Sequence, residues 1–367
     1  MMMAMTAFFN MLSARLISLS LKLPLRPMHQ KDTYILAIES SCDDTSAAVL
    51  KNGYVLSNLV AGQTVHEAFG GVVPELASRA HQKNIVPVVH QALKVAKIEP
   101  QQLNAIAFTS GPGLLGSLLV GTSFAKSMAM ALNIPLIDVH HMQAHVLAHF
   151  IEDADMQKPP FPFLCLTVSG GHTQIVRVDD YFDLNIIGQT IDDAAGEAFD
   201  KAAKIMGLPY PGGPLIDKYA KAGNPNKYPF SKPRIDGFNY SFSGLKTSIL
   251  YFLQKEVKQN ANFVQENLND LCASIQKSIV DVLMKKLDLA AKETGIKHIA
   301  LAGGVSANSA LREALKKREE SLGYTAYLPK FEYTTDNAAM IGIVAYHKFL
   351  KGDFANEHVS AKARMTW

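Results

Sequence analysis

Two histidines four residues apart, in His141-Met142-Gln143-Ala144-His145, are the residues whose types and spacing most readily do chemistry. On a helix, positions i and i+4 share one face, and two imidazoles on one face can grip a single metal ion. His140 and His149 extend the His-rich run. The peptidase form of this motif places a Glu directly after the first His, as general base. Met142 stands there, which argues against a zinc peptidase. A third ligand must come from elsewhere. Asp336, in the predicted helix start Thr334-Thr335-Asp336-Asn337, is the candidate. A helix N-cap is the other role a carboxylate fills at such a position.

Three Gly-rich loops, Gly111 to Gly116, Ser169 to His172 and Gly303 to Asn308, are of the kind that lets backbone N–H groups approach phosphate. A metal site with several phosphate cradles points to a nucleotide-handling enzyme. Gly111 to Gly116 also matches G-x-G-x-x-G after the strand-like Ala105 to Thr109. Asp138 follows a second strand, Ile134 to Ile137, about where a dinucleotide fold places its ribose acid. That local match explains neither the His pair nor the repeat described below. Four carboxylates stand between Asp192 and Asp200: Asp192, Asp193, Glu197 and Asp200. A solvated helix start accounts for some of them, and Asp200 is of the type that holds a ribose hydroxyl. From Asn226 to Tyr240, Lys227, Lys232 and Arg234 interleave with Tyr228, Phe230, Phe238 and Tyr240. The pattern suits unstacked RNA bases, and an ordinary ordered loop shares it.

The elements that must position these residues repeat. Tyr34 to Ile38 is a strand, Glu39 to Ser46 is small and polar, and Ala47 to Leu50 is apolar again before the Asn52-Gly53 turn. Later, Phe163 to Val168 and Gln174 to Val178 flank a tight Ser169 to Thr173 loop. This reads as an internally repeated β-hairpin whose tip faces a ligand. Each copy is followed by alternating helices and strands, an α/β pattern. Prolines between Glu152 and Pro162 divide residues 31–155 from 156–367. In the second part a long helix is expected from about Asn262 to Ala291. Beyond it, strands are expected at His298 to Leu301 and Tyr324 to Leu328, and helices at Ser309 to Glu320 and Thr334 to Leu350.

Composition bounds the class. The 367 residues are 48% hydrophobic and 19% charged, enough to bury large cores. The net charge is +3, but residues 1–31 hold four basic residues and no acid, so the remainder carries −1. Without a global basic field, contact with nucleic acid must use a local patch or a partner. Three cysteines are too few for a disulfide framework and point to a reducing compartment. Residues 1–30 are Met-, Leu- and Ser-rich, as in a mitochondrial transit peptide. An upstream start codon with Met28 as the true initiator gives the same appearance. Leu114 to Leu132 is the most apolar stretch. Its Ser117, Thr122, Ser123, Lys126 and Ser127 suggest a buried helix of a soluble protein rather than a membrane span.

The ordered motifs Glu39-Ser-Ser-Cys-Asp-Asp-Thr45, Ser110-Gly-Pro-Gly-Leu-Leu-Gly-Ser117, His141-Met-Gln-Ala-His145, Val168-Ser-Gly-Gly-His-Thr173, Asp192-Asp-Ala-Ala-Gly-Glu-Ala-Phe-Asp200, Tyr210-Pro-Gly-Gly213, Ser241-Phe-Ser-Gly-Leu-Lys-Thr247 and Gly303-Gly-Val-Ser-Ala-Asn308 resemble the TsaD family of tRNA threonylcarbamoyladenosine synthases, in its bacterial form. The resemblance runs from about residue 33 to the C-terminus. It implies an actin/Hsp70/sugar-kinase-like (ASKHA) α/β fold, two lobes around a nucleotide cleft. Residues 31–155 would form the N-terminal lobe with the metal-binding helix, 156–367 the C-terminal lobe with adenylate-binding loops, and 1–30 an extension.

The implied activity is transfer of threonylcarbamoyl from threonylcarbamoyl-AMP to the exocyclic amine of the adenosine just 3′ of the anticodon, in tRNAs reading ANN codons. By the same resemblance His141, His145 and Asp336 would hold one divalent metal, iron (Fe2+) or alternatively zinc. Thr167, Val168, Ser169, Gly170, Gly171, Asp200, Gly213, Asp217 and Asn308 would hold the adenylate. Asp43 and Asp44 would be the acidic residues needed for transfer, and either is a candidate acceptor for the amine proton. Implied partners are tRNA, the inactive paralogue TsaB and the ATPase TsaE, with no membrane. The implied location is the bacterial cytoplasm, or the mitochondrial matrix if the leader is a transit peptide. The chain departs from the family pattern at Gln143-Ala144, where Glu-Gly is commoner, and at Asp44, where Glu is frequent. A non-enzymatic paralogue would be expected to lose the metal residues, which are kept here. Nothing in the chain resembles a sugar kinase's sugar pocket.

Overall fold

In the computed structural model, residues 32–62, 66, 71–231 and 235–366 are described, and the structural statements below concern these. The leader, Lys232 and Arg234 lie outside them.

An apolar strand β1 (Tyr34–Glu39) turns through the small polar Ser40 to Asp44 loop into β2 (Thr45–Lys51), and β3 (Tyr54–Ala61) adds to the hairpin. Helix α1 (Pro74–Ala96) leads to β4 (Ala105–Gly111), α2 (Leu115–Leu132) and β5 (Leu136–His140). Strand β5 runs directly into the short helix α3 (His141–Leu147). The plan then repeats with β6 (Phe163–Val168), β7 (Thr173–Asp180) and β8 (Asp183–Gln189). Five helices follow: α4 (Ala195–Ile205), α5 (Gly212–Ala220), α6 (Ser243–Gln259), α7 (Phe263–Glu266) and α8 (Leu268–Thr294). The series continues through β9 (His298–Ala302), α9 (Ser309–Leu322), β10 (Thr325–Tyr327) and α10 (Ala338–Lys351).

The two sheets share one topology. Their strand orders are β3-β2-β1-β4-β5 and β10-β9-β6-β7-β8. In each, the first strand pairs antiparallel with the second and parallel with the fourth. The expected hairpin repeat is present, and each copy carries a third, outer strand. β8 was not expected: its sequence DLNIIGQ has no clean alternation of polar and apolar residues, which is typical of an edge.

Alternation along the strands builds three cores. Leu36 and Ile38 face an outer core with Ile85 and Val89 of α1 and Ala125 of α2. Ile35 and Ala37 face a central core with α3, α10 and one face of β6 and β7. Leu164, Leu166 and Ile175 face a second outer core with α4, α6 and α8. Because α10 packs against β1 and β2, the chain from Ala338 onward returns to the first sheet.

Four expectations change. The long helix is interrupted after one short turn at Asn267, whose backbone (φ −118, ψ 15) leaves the helical region while its side chain accepts from Lys227 Nζ and Tyr228 Oη. The last helix starts at Ala338, not Thr334. Asn337 is its cap, accepting from Met340 N at 3.1 Å. Helix α2 is not a buried helix. Ser117, Gly121, Thr122, Ala125 and Ala129 face inward, whereas Leu115, Leu119 and Met130 are exposed. By length and composition α2 could cross a membrane, with 33% of it buried. Finally, the aromatics between 226 and 240 are not a stacking platform. Phe230 and Tyr240 are buried, Tyr228 and Phe238 pack against the same core, and Lys227 pairs with Asp270.

Candidate active site

The parallel strands β1, β4 and β5 end on one side of the first sheet, and the site lies there, as ligand sites do in open α/β sheets. At the end of β1, Glu39 is fully buried. Its Oε2 accepts from Thr109 Oγ1 at 2.6 Å and lies 3.1 Å from His141 Nδ1. That bond ties one ring nitrogen and leaves Nε2 for a ligand role. His141 and His145 open and continue α3, their rings nearly perpendicular with centroids 4.7 Å apart. Their Nε2 atoms approach Asp336 Oδ1 at 3.5 and 3.2 Å. His145 Nδ1 is buried and meets no partner among the described residues.

This donor set suits a small divalent ion. Metal–ligand bonds of about 2.1 Å place neighbouring ligand atoms about 3.0–3.5 Å apart, the spacing of each histidine from Asp336. The three ligand atoms lie within 4.8 Å of one another. Asp336 is available because Asn337 does the capping. The electrostatics agree. Burial works against charge on His141, but Glu39 and Asp336 outweigh it and raise the imidazole to about 9. Burial likewise disfavours charge on Glu39 and Asp336, and His141 more than offsets it, holding both below the usual carboxylate range. The pocket is built around positive charge.

The expected residues largely share one cleft of about 1660 Å³. From the first lobe come Asp43 and Asp44, at the hairpin tip, with His141 and Asp336. From the second come Ser169, Gly170, Gly171, Asp200, Gly213, Asp217 and Asn308. Thr167 and Val168 do not line it: they are the fully buried end of β6 beneath the loop. Gly170 and Gly171 are open to the cleft, with nothing near their missing Cβ positions. Gly303 adopts φ +82, and a Cβ there would strike the Val168 carbonyl at 2.5 Å, so only glycine brings that loop against β6.

Several of these side chains already have work within the fold. Asp200 Oδ1 accepts from Gly212 N and Gly213 N at the start of α5. Asp217 Oδ1 accepts from Ser309 N and Oγ. Asn308 caps α9 through Leu311 N and donates to Gln276 Oε1. The four-carboxylate stretch divides. Asp192 accepts from Ser241 Oγ, Phe242 N and Ser243 Oγ, holding the start of α6, and Asp193 and Glu197 pair with Lys201. Asp200 alone of the four turns to the Gly212-Gly213 loop.

Asp44 is the cleft carboxyl pushed furthest up. Burial pushes it up to about 7, helped by the charges of Asp43, Asp336 and Glu39. Burial also pushes the neighbouring Cys42 thiol up, which disfavours its thiolate. Two residues, Glu39 buried behind His141 and Tyr210 in the cleft, carried no role by sequence alone. Glu39 was visible only as a carboxylate ending an apolar strand. Tyr210 sits between the lobes, where burial and then the charges of Asp43 and Asp200 raise its phenol to about 12.

In the Gly111 to Gly116 loop, Gly113 N donates to Ala363 O and Leu114 N to Ser41 O, so these two amides are taken by the chain itself and do not cradle a phosphate.

Comparison with known proteins decides the family. The profile of "tRNA N6-adenosine threonylcarbamoyltransferase", TsaD, matches residues 54–343. The chain belongs to the TsaD family. Curated TsaD relatives include the tRNA N6-adenosine threonylcarbamoyltransferases of Christiangramia forsetii and Riemerella anatipestifer. The first is 66% identical, over 92% of this chain and 99% of the relative. The second is 63% identical, over 91% and 98%. Among solved structures, full-length HypF in its phosphate- and nucleotide-bound form has a TM-score of 0.58 at 14% identity, covering 89% of this chain and 48% of that one. Component A of the Acidaminococcus fermentans (R)-2-hydroxyglutaryl-CoA dehydratase has a TM-score of 0.50 at 16% identity, covering 86% and 98%. These likenesses concern fold alone. With the twin sheets they give this TsaD chain the two-lobed actin/Hsp70/sugar-kinase-like fold. The family and the curated relatives make it a tRNA-modifying transferase.

Proposed function

We propose that the cleft transfers threonylcarbamoyl from threonylcarbamoyl-AMP to N6 of the adenosine 3′ to the anticodon (position 37) in tRNAs reading ANN codons, forming t6A. The observation that carries this is the meeting of His141 and Asp336, the open Gly170-Gly171 loop and the Asp43-Asp44 tip in one cleft, with His145 buried beside the first two and within reach of the same ion.

The donor is a mixed anhydride, so the protein need not generate a nucleophile of its own. The amine nitrogen attacks the carbamoyl carbon, the C–N bond forms, the bond to the phosphate oxygen breaks, and AMP leaves. Positioning and stabilisation of developing negative charge are what the enzyme must supply. The free amides of Gly170 and Gly171 would face the phosphate, and Asp200 and Asp217 the ribose side. Asp44, held near neutrality, would accept the amine proton, with Asp43 beside it. The metal, iron on our reading and zinc as the alternative, would be held by His141, His145 and Asp336 and supply Lewis acidity. Thr167 and Val168 would act by seating the loop rather than by contact.

We further infer that the lobes divide near residues 155–156, with the chain from about Asp336 onward returning to the first lobe, that the working partners are tRNA, TsaB and TsaE, that no membrane is involved, and that the protein acts in a bacterial cytoplasm. A mitochondrial matrix location would follow if residues 1–30 act as a transit peptide. The test is substrate selection. The purified protein with its helper proteins and synthetic threonylcarbamoyl-AMP is given unmodified tRNAs reading ANN and non-ANN codons, and the nucleosides are analysed by mass spectrometry. Modification confined to adenosine 37 of the ANN-reading set supports the reading. Donor hydrolysis without tRNA product contradicts it.

A further inference from the structure

After α10 the chain turns back across the first sheet as an irregular strap. Ala355 N donates to Leu136 O at the start of β5, at 2.8 Å, and Lys126 Nζ of α2 donates to Glu357 O. Ala355 and Val359 pack onto the outer core. The strap then meets the end of β4. Lys362 N donates to Ser110 O at 2.8 Å, Gly113 N donates to Ala363 O at 3.2 Å, and Ser110 Oγ lies 3.8 Å from Met365 Sδ. Gly111 has φ +151, and a Cβ there would lie 2.1 Å from Lys362 O. Gly111, the first glycine of what looks like a nucleotide motif, thus makes room for the chain's own C-terminal segment, whereas Gly113 makes room for Ser41.

The strap's anchor lies beside His140: His140 pairs with Gly111 across β4 and β5, and Ser110 Oγ, which meets Met365 Sδ, also donates to Val139 O at 3.2 Å. His140 Nδ1 accepts from Met142 N at 3.1 Å and Gln143 N at 3.4 Å. His140 is therefore the N-cap of α3, the helix that carries both metal histidines, and it is 6% exposed. A seven-residue helix has little stability of its own. Its orientation depends on the cap and on packing.

We propose that residues 353–366 fix the orientation of His140 and, through it, the metal-bearing helix, making His140 a positioning residue for the metal site. The inference rests on the reading of His141, His145 and Asp336 as metal ligands. Partners that orient metal ligands typically change affinity by about 10- to 100-fold.

The test is Zn2+ affinity of the full chain, by competition with a chromophoric chelator, with thermal melting as the check on folding. The variants are His140→Ala, His140→Asn, a stop after Ser360, Lys362→Pro (which removes the donor to Ser110) and the double variant His140→Ala with the stop. His140→Ala and the stop should each weaken Zn2+ binding by about tenfold or more. His140→Asn, which can still cap α3, should recover most of the loss. The double variant should be no weaker than His140→Ala alone, because the strap acts through that residue. If the shortened chain fails to fold, Lys362→Pro takes its place with the same expectation. Binding within twofold of the parent in the stop and Lys362→Pro variants, or losses that add in the double variant, overturns the strap's role. If the parent binds no better than His141→Ala/His145→Ala, the metal reading fails and the inference with it.

Discussion

Glu39 Oε2 lies 3.1 Å from His141 Nδ1, while Nε2 of the same ring lies 3.5 Å from Asp336 Oδ1. One buried carboxylate orients the imidazole and another shares its open face. Glu39→Gln keeps the shape but removes the charge that turns Nδ1 into a fixed donor. Metal affinity should fall by about 10- to 100-fold, read as metal retained after dialysis against a chelator, with melting temperature showing that the chain still folds.

Asp44 offers a pH signature. A general base works only when deprotonated, so raising the pH through its pKa of about 7 should increase the transfer rate to a plateau. Asp44→Asn should abolish that rising limb and slow transfer by about 10²–10⁴-fold. Single-turnover rates between pH 5.5 and 8.5 check both. If Asp44→Asn keeps the limb, the base is elsewhere.

Two adjacent residues should separate cleanly. Asp336→Asn should lose the metal and leave the start of α10 intact, since Asn337 caps it. Asn337→Ala should retain the ligand set and lose about 1 kcal/mol of stability. Metal content and denaturant melts, measured on both variants, distinguish ligand from cap.

Asp192 should behave as a structural acid despite its place in a motif. It holds the Ser241–Ser243 segment with three bonds, so Asp192→Ala should cost about 1–3 kcal/mol. Asp200→Asn should instead raise the KM for threonylcarbamoyl-AMP with a smaller effect on stability.

The repeated hairpins, the His pair and the cleft-facing loops were legible because each rests on local pattern: period-2 burial, i and i+4 spacing, and glycine pairs after strands. Asp336 was legible only as a choice between ligand and cap. Asn337, which offers the same acceptor one position later, takes the cap and resolves the choice in space. The buried role of Glu39 and the filling of the Gly111 loop by the strap were hidden. Both depend on partners far along the chain: Glu39 and His141 are 102 residues apart, and Ser110 and Met365 are 255 apart. The aromatics near Tyr240 misled because composition does not say which face is covered, and helices α6 and α8 cover it.

The central claim is that metal, donor loops and transfer acids act as one site. Its most direct test compares the parent with His141→Ala/His145→Ala in single-turnover transfer from synthetic threonylcarbamoyl-AMP to an ANN-reading tRNA, with nucleoside mass spectrometry as readout. The account expects t6A from the parent and none from the variant, with the variant still folded. Equal product from both would contradict it.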